Sequence, residues 1–470
     1  MKDFDSLYFV GAGGIGMAAL VRYFLAKGKR VAGYDRVASD LTHALVNEGA
    51  EIVYDEDPEL IPDYCRDPKR TLVVYTPAVP NDHHGLQWFR ANGFEVVKRA
   101  QVLGIITRTG TSICIAGTHG KTTTSSMATH ILNTAGIGCN AFLGGILRNI
   151  NSNLMLSDTS PFTVIEADEF DRSFLWLKPH IATISATDAD HLDIYGTYEN
   201  YLEGFAQFTE LIDPDGTLII HTGLAMKPRV KDGVKIYTYS RDEGDFHAAN
   251  VRKGNGELIF DFVHPWGTIN DISLGVPVDI NIENAVAAMS ACLIATREKN
   301  MKDISDDMRQ AIGTFQGAER RFQIRLKQDG PNGKVVIDDY AHHPAEIRAL
   351  ITSVRDLYPG RHITIIFQPH TYTRTRDLAD QFAEALSLAD EVILIPIYPA
   401  REDPIPGITS DMLLEKVKCS KKKIYSKENL ISSIKMCNFD VLLTVGGGDV
   451  YDLSPLITEE VKKQPPFRPC

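Results

Sequence analysis

The chain has 470 residues, 44% hydrophobic and 23% charged, with a formal net charge of −12. At about 150 residues per domain this length predicts three domains of an ordinary globular protein. The acidic balance argues against a nucleic-acid partner, and it requires any anionic substrate to be held by local basic groups and metal.

Seven dispersed cysteines without a Cys-x-x-Cys pair read as reduced thiols, hence a cytoplasmic setting. Met1-Lys2-Asp3 leads at once into a strand and no apolar run reaches 18 residues, so neither a signal peptide nor membrane insertion is expected.

In chain order, short apolar runs at 7–10, 31–34, 51–54, 72–75 and 95–97 alternate with helical segments, the cadence of a parallel α/β sheet. A second series starts with the strand 111–115 and continues at 162–166, 181–184 and 217–220. From Phe246 to Leu274 the pattern becomes a small antiparallel meander with turns at 254–256 and 265–267, followed by a helix from Ile282 to Glu298. Beyond a break near Phe315, strands at 335–337, 363–366, 392–395 and 441–444 alternate with helices near 344–357, 376–389 and 428–436. The basic run 418–423 reads as a solvated helix end, and the tail 465–470 as frayed. Boundaries near 107 and 324 divide the chain into domains 1–107, 108–324 and 325–470.

Ala116-Gly-Thr-His-Gly-Lys-Thr-Thr-Thr124 lies between a strand and a helix, the context of a phosphate loop. Gly117 and Gly120 let backbone N–H groups approach phosphate oxygens, with Thr118 and His119 between them. Lys121 supplies a point charge, Thr122 offers Mg2+ an oxygen, and Thr123 continues the helix N-terminus. The usual spacing would put glycine at 115, where Ile115 stands, so Gly117 takes the turn. Nearer the N-terminus, Val10-Gly-Ala-Gly-Gly-Ile-Gly16 follows the first strand, and Asp35 ends the second. Gly11, Gly13, Gly14 and Gly16 suit a pyrophosphate, which UDP, ADP and NAD all carry, and Asp35 suits a ribose hydroxyl.

Glu166-Ala-Asp-Glu-Phe-Asp171 sits at the expected end of a neighbouring strand, where a carboxylate can bind the Mg2+ bridging two phosphates. Asp188-Ala-Asp-His-Leu-Asp193 follows the next strand and carries His191, a poor magnesium ligand on chemistry alone. Asn281-Ile-Glu-Asn-Ala285 opens the long helix, and the arginines Arg320 and Arg321 stand at the second boundary. Asp338-Asp-Tyr-Ala-His-His-Pro344 and Phe367-Gln-Pro-His-Thr-Tyr-Thr-Arg-Thr-Arg376 both follow strands, and they bring histidines and arginines to one sheet end.

Taken together, these segments resemble the Mur ligase family, ATP-dependent enzymes that build the peptide of peptidoglycan on a UDP-sugar. The likeness runs from Gly11 to the Gly446-Gly-Gly-Asp449 loop. It implies three α/β domains: a Rossmann-like UDP-binding domain, a central P-loop ATPase-type domain with a parallel sheet plus a small antiparallel sheet, and a Rossmann-like C-terminal domain for the amino acid. Carried over residue by residue, Gly11, Gly13, Gly14, Gly16 and Asp35 would hold the UDP moiety. Gly117 to Thr123 would hold ATP, and Thr122, Glu166 and His191 the metal. Asn284 would reach adenine, and Arg320 or Arg321 an ATP phosphate. His343, His370 and Arg374 would hold the incoming amino acid.

Phe367-Gln-Pro-His370 and Thr373-Arg-Thr375 look like the alanine-adding branch, implying UDP-N-acetylmuramate and L-alanine as partners; monomer and homodimer both stay open. No lysine stands between Lys178 and Lys227, where branches adding later residues carry a metal-supporting one. Ile280, Thr371 and Ala186 depart from the branch's usual His, Arg and Asn. A sugar carboxylate attacking a γ-phosphate brings two anions together, so the site needs Mg2+, Lys121 and an arginine. Exclusion of water from an acyl phosphate calls for domains that close, with hinges near 107 and 324. The rival readings are a ligase that adds a whole tripeptide to the same UDP-sugar, an NAD(P) oxidoreductase and a nucleotide-sensing switch.

Overall fold

The computed structural model describes residues 4–80, 82–190, 192–254, 256–317, 321–328, 330, 333–400, 402–434 and 439–464. Two compact units result. One comprises Met1–Ala249, Asp261–Ile272 and Ile282–Phe315; the other comprises Asn250–Phe260, Ser273–Asn281 and Gln316–Cys470.

The first unit holds two sheets, one parallel throughout and one parallel except for its last pair. In the N-terminal one the strands run Glu51–Val53, Arg30–Tyr34, Ser6–Val10, Thr71–Tyr75, Glu95–Lys98 from edge to edge, all parallel. The strand order reverses at Ser6–Val10, so the glycine loop leaves the sheet at the switch point where such folds place ligands. The second sheet runs Lys235–Tyr239, Thr217–His221, Ile181–Ile184, Thr111–Ala116, Phe162–Ala167, Asn140–Leu147, Ser152–Met155. Thr111–Ala116 is buried at every position and lies between Ile181–Ile184 and Phe162–Ala167, so the loop at its C-terminal end is flanked by the segments leaving those two strands. One continuous apolar core joins the two sheets: Phe9, Met17 and Leu20 belong to the same cluster as Phe142, Ile165 and Phe174.

The hairpin Asn140–Leu147 with Ser152–Met155 is not legible in the sequence, because Gly144 and Gly145 interrupt its strand pattern. Its register shifts between Phe142 and Leu147, and only residues 140–142 pair with Phe162–Ala167. The backbone at Gly144 is thereby released from the ladder. The expected meander is present as His247–Gly254, Glu257–His264 and Gly267–Ser273, followed by the helix Ile280–Glu298.

In the second unit the sheet runs Gln323–Lys327, Val335–Asp339, Val441–Val445, Ile363–Phe367, Glu391–Leu394, Lys421–Ile424, parallel except for its first pair. Two expectations are corrected here. The basic run forms an edge strand rather than a helix end. Lys421–Ile424 pairs with Glu391–Leu394, its lysines stand in solvent, and exposed charge on an edge discourages further strand pairing. The helix expected at 376–389 is two helices, Tyr372–Asp377 and Ala379–Leu386, broken at Leu378 where φ is −115° and ψ 15°. The helix expected to reach 436 is described as Lys427–Ile434, and residues 435–438 and the tail 465–470 lie outside the described residues. Among the described residues no helix is long and apolar enough to cross a membrane.

Candidate active site

The phosphate loop is fixed by backbone geometry. Gly117 has φ +133° and Gly120 φ +83°, left-handed values that side chains disfavour. A Cβ on Gly117 would lie 2.2 Å from Ser185 Oγ, and one on Gly120 2.5 Å from Asn284 Oδ1. Thr118 N–H donates to the Ala186 carbonyl at 3.0 Å, and its hydroxyl donates to the Asp188 carbonyl at 2.9 Å. At the Ala186 departure the neighbouring segment thus serves the loop through its backbone. Helix Lys121–Thr134 begins at once after Gly120, so its N-terminal N–H groups face the loop. His119 is exposed, 3.6 Å from Asp188. Asn284 accepts from the Thr124 hydroxyl at 3.3 Å, tying the long helix to the loop helix.

Glu166 is the penultimate residue of the strand Phe162–Ala167, beside this loop. One carboxylate oxygen accepts from the Thr122 hydroxyl at 3.0 Å, the other from the Gly144 N–H at 2.9 Å. Burial pushes the Glu166 carboxyl above its ordinary value, while Lys121, Thr122 and Gly144 draw it back. A hydroxyl and an enclosed carboxylate at a phosphate loop form an all-oxygen set of the kind Mg2+ takes, and a cation there would offset the burial. The residues therefore fit the metal. Lys121 points to a second acid: its ammonium lies 2.7 Å from Glu169 Oε2 and donates to the Gly117 carbonyl at 2.7 Å.

A cavity of about 430 Å³ joins the two loops within the first unit. Gly14, Gly16 and Arg99 from the glycine-loop region line it together with Lys121, Gly144 and Glu166. A Cβ on Gly16 would collide with the Arg99 guanidinium at 2.4 Å, so glycine is what lets the cation lie against the loop. Arg99 meets Asp168 at 3.4 Å and Lys98 meets Asp171 at 2.6 Å. Asp35 is taken up by the glycine loop, accepting the Gly13 N–H at 2.6 Å, and Gly11 has φ +89° beside Thr76.

In the second unit His370 stacks on Tyr398 with centroids 5.6 Å apart, and it lies 3.1 Å from an Arg374 nitrogen. His342 meets the His370 ring at 5.9 Å. His343 is exposed and serves as the N-cap of the helix Pro344–Leu357, accepting from Ala345 N–H at 3.4 Å. Buried Gln368 bridges Asp449 at 2.7 Å and Val450 N–H at 2.9 Å, holding the glycine loop 446–448 beside the histidines.

Three family models cover most of the chain: "Mur ligase family, catalytic domain" over residues 6–111, "Mur ligase middle domain" over 115–292, and "Mur ligase, glutamate ligase domain" over 320–448. A UDP-N-acetylmuramate–L-alanine ligase of Phocaeicola vulgatus is 54% identical over 467 residues, 99% of this chain and 100% of the relative. The chain belongs to the Mur ligase family. The Porphyromonas gingivalis protein of the same name is 47% identical over 448 residues, 94% of this chain and 96% of that one. A UDP-N-acetylmuramate–alanine ligase crystal structure from Thermotoga maritima matches with a TM-score of 0.79 at 26% identity, covering 97% of this chain and 99% of that one.

This Mur ligase brings Lys121, Thr122, Glu166 and Asn284 together around one loop, with Gly14 and Gly16 lining the same cavity as Lys121 and Glu166. His191 and Arg320 lie outside the described residues, and Arg321 is exposed. Sequence reasoning assigned no role to Arg99, Gly144, Glu169, His342 or Gln368. Glu169, His342 and Gln368 stand inside the segments 166–171, 338–344 and 367–376 that the sequence marks out, whereas Arg99 and Gly144 carry no such local signal.

Proposed function

We propose that this Mur ligase joins L-alanine to the lactyl carboxylate of UDP-N-acetylmuramate, consuming ATP and releasing ADP and phosphate through an acyl phosphate. The observation that carries the reading is that one cavity is lined both by the glycine loop and by Lys121 and Glu166, which suits a nucleotide sugar and a triphosphate meeting there. The glycine loop with Arg99 holds the anionic end of the UDP-sugar, and its carboxylate reaches the γ-phosphate across the cavity. Lys121 and the helix N-terminus concentrate positive charge where the two anions meet. Thr122 and Glu166, with His191, would hold Mg2+, which supplies charge neutralisation on phosphate oxygens when bound. The alanine amine then attacks the acyl carbon, the bond from that carbon to the phosphate oxygen breaks, and the proton lost from the nitrogen leaves with the phosphate. His342, His370 and Arg374 are suited to the alanine carboxylate, and Asn284 with Arg320 or Arg321 to the nucleotide.

Three functional domains, 1–107, 108–324 and 325–470, and a cytoplasmic setting belong to the same reading; the free cysteines 65, 114, 139, 292 and 419 are consistent with it. The test is product formation with ATP, Mg2+ and UDP-N-acetylmuramate, offering alanine and, separately, the tripeptide that a recycling ligase would take. Amide formation with alanine is expected. Turnover with the tripeptide alone would favour the recycling reading instead.

A further inference from the structure

Lys121 is already engaged within the protein. Its side chain is 14% exposed and that of Glu169 is 1% exposed, with ammonium and carboxylate 2.7 Å apart. The same ammonium donates to the loop's own Gly117 carbonyl at 2.7 Å. Glu169 itself has little freedom: its carbonyl accepts from the Tyr195 hydroxyl at 2.7 Å and from Arg172 N–H at 3.0 Å. Its neighbours on either side are held as well, Asp168 by Arg99 and Asp171 by Lys98, and the turn is completed by left-handed Asp171 and Arg172 at φ 52° and 54°. A fixed carboxylate thus faces a lysine on a flexible four-carbon stem.

A phosphate entering the loop requires that same ammonium. We propose that Glu169 is a resident counter-ion for Lys121: it folds the lysine onto the loop, and a nucleotide phosphate has to displace it. Glu169 is then a positioning residue acting through Lys121, separate from Glu166, which engages Thr122. Part of the phosphate's attraction is used to break a buried ion pair, whose carboxylate is costly to leave alone. Nucleotide is consequently held more loosely than the loop alone would allow, and ADP leaves more readily after turnover. The inference rests on the reading of this loop as a triphosphate site.

The test compares full-length wild type with Glu169→Gln, which keeps the side chain's shape and removes its charge. Calorimetric titration with MgADP is expected to give about tenfold tighter binding for the variant. The variant's melting temperature without nucleotide should fall, and the rise on adding ADP should exceed that of wild type. A purely structural role would lower both melting temperatures equally and leave affinity unchanged; that result, or weaker binding, overturns the inference. Should Glu169→Gln fail to fold, Glu169→Asp withdraws the carboxylate by one methylene, and the same two shifts are expected at smaller size; their absence counts equally against it. If wild type itself binds no ADP, the triphosphate reading and this inference fall together. If wild type binds and neither variant binds more tightly, only the inference falls.

Discussion

Replacing Gly144 by alanine displaces Glu166 without altering its chemistry. A Cβ on Gly144 would lie 2.3 Å from one Glu166 carboxylate oxygen and 2.7 Å from the other. Carbon and oxygen sit comfortably at about 3.5 Å, so the carboxylate must retreat by roughly 1 Å. That stretches the 3.0 Å bond from Thr122 and the 2.9 Å bond from Gly144 N–H beyond useful hydrogen-bonding distance. Gly144 is not among the positive-φ glycines, so alanine fits its backbone and the fold should survive. Loss of the groups that orient a metal-binding carboxylate typically costs about 10–100-fold in metal affinity. The assay is phosphate release against Mg2+ concentration at saturating ATP, UDP-N-acetylmuramate and alanine, with a thermal melt as control. Half-saturation by Mg2+ should rise about 10–100-fold while the melt changes little. An unchanged Mg2+ requirement in a folded variant would refute the placement of Glu166 at the metal.

Lys121→Ala should cut turnover at least about 100-fold while UDP-N-acetylmuramate binding, measured by calorimetry, survives; equal loss of both would mean the two loops are not the separate binding elements described. His343→Ala should lower stability by about 1 kcal/mol through loss of the helix cap, leaving turnover near wild type, whereas His342→Ala should raise the KM for alanine about tenfold. The reverse pattern, read by steady-state kinetics and denaturant melts, would reassign the amino-acid contact to His343. The His180 imidazolium is favoured by its hydrogen bond to Glu298 and by Asp215 and Asp213, against the opposing effect of burial, so its pKa rises above 6.5. Its stabilising contribution is therefore complete below pH 6.5 and fades as pH climbs through the raised value. The melting-temperature gap between wild type and His180→Gln should be wide at pH 6 and narrow at pH 9; a gap that widens with pH would contradict this.

Local sequence carried the position of the two glycine loops because their glycines, lysine and threonine are close in sequence and their geometry depends on a strand and a helix that announce themselves. It also carried Glu166, since the end of a parallel strand next to a phosphate loop is a place defined by topology. The partners of these residues were not legible. Gly144 matters because a register shift frees its N–H for an acid 22 residues later. Arg99 matters because Gly16, far back in the chain, leaves room for it. In the pair His342 and His343 the sequence offers two equal rings, and both approach the backbone, His343 as the cap of the helix Pro344–Leu357 and His342 at 3.1 Å from the Tyr340 carbonyl, so it is the contact with the His370 ring that separates them. The edge strand Lys421–Ile424 was hidden for a different reason, since three lysines mask a β pattern that pairing with Glu391–Leu394 imposes.

The central claim is that the sugar carboxylate crosses the shared cavity to attack the γ-phosphate. UDP-N-acetylmuramate labelled with oxygen-18 in its lactyl carboxylate, incubated with ATP, Mg2+ and alanine, tests it through the mass of the phosphate released. One labelled oxygen per phosphate is the result the account predicts; phosphate free of label alongside amide product would contradict it.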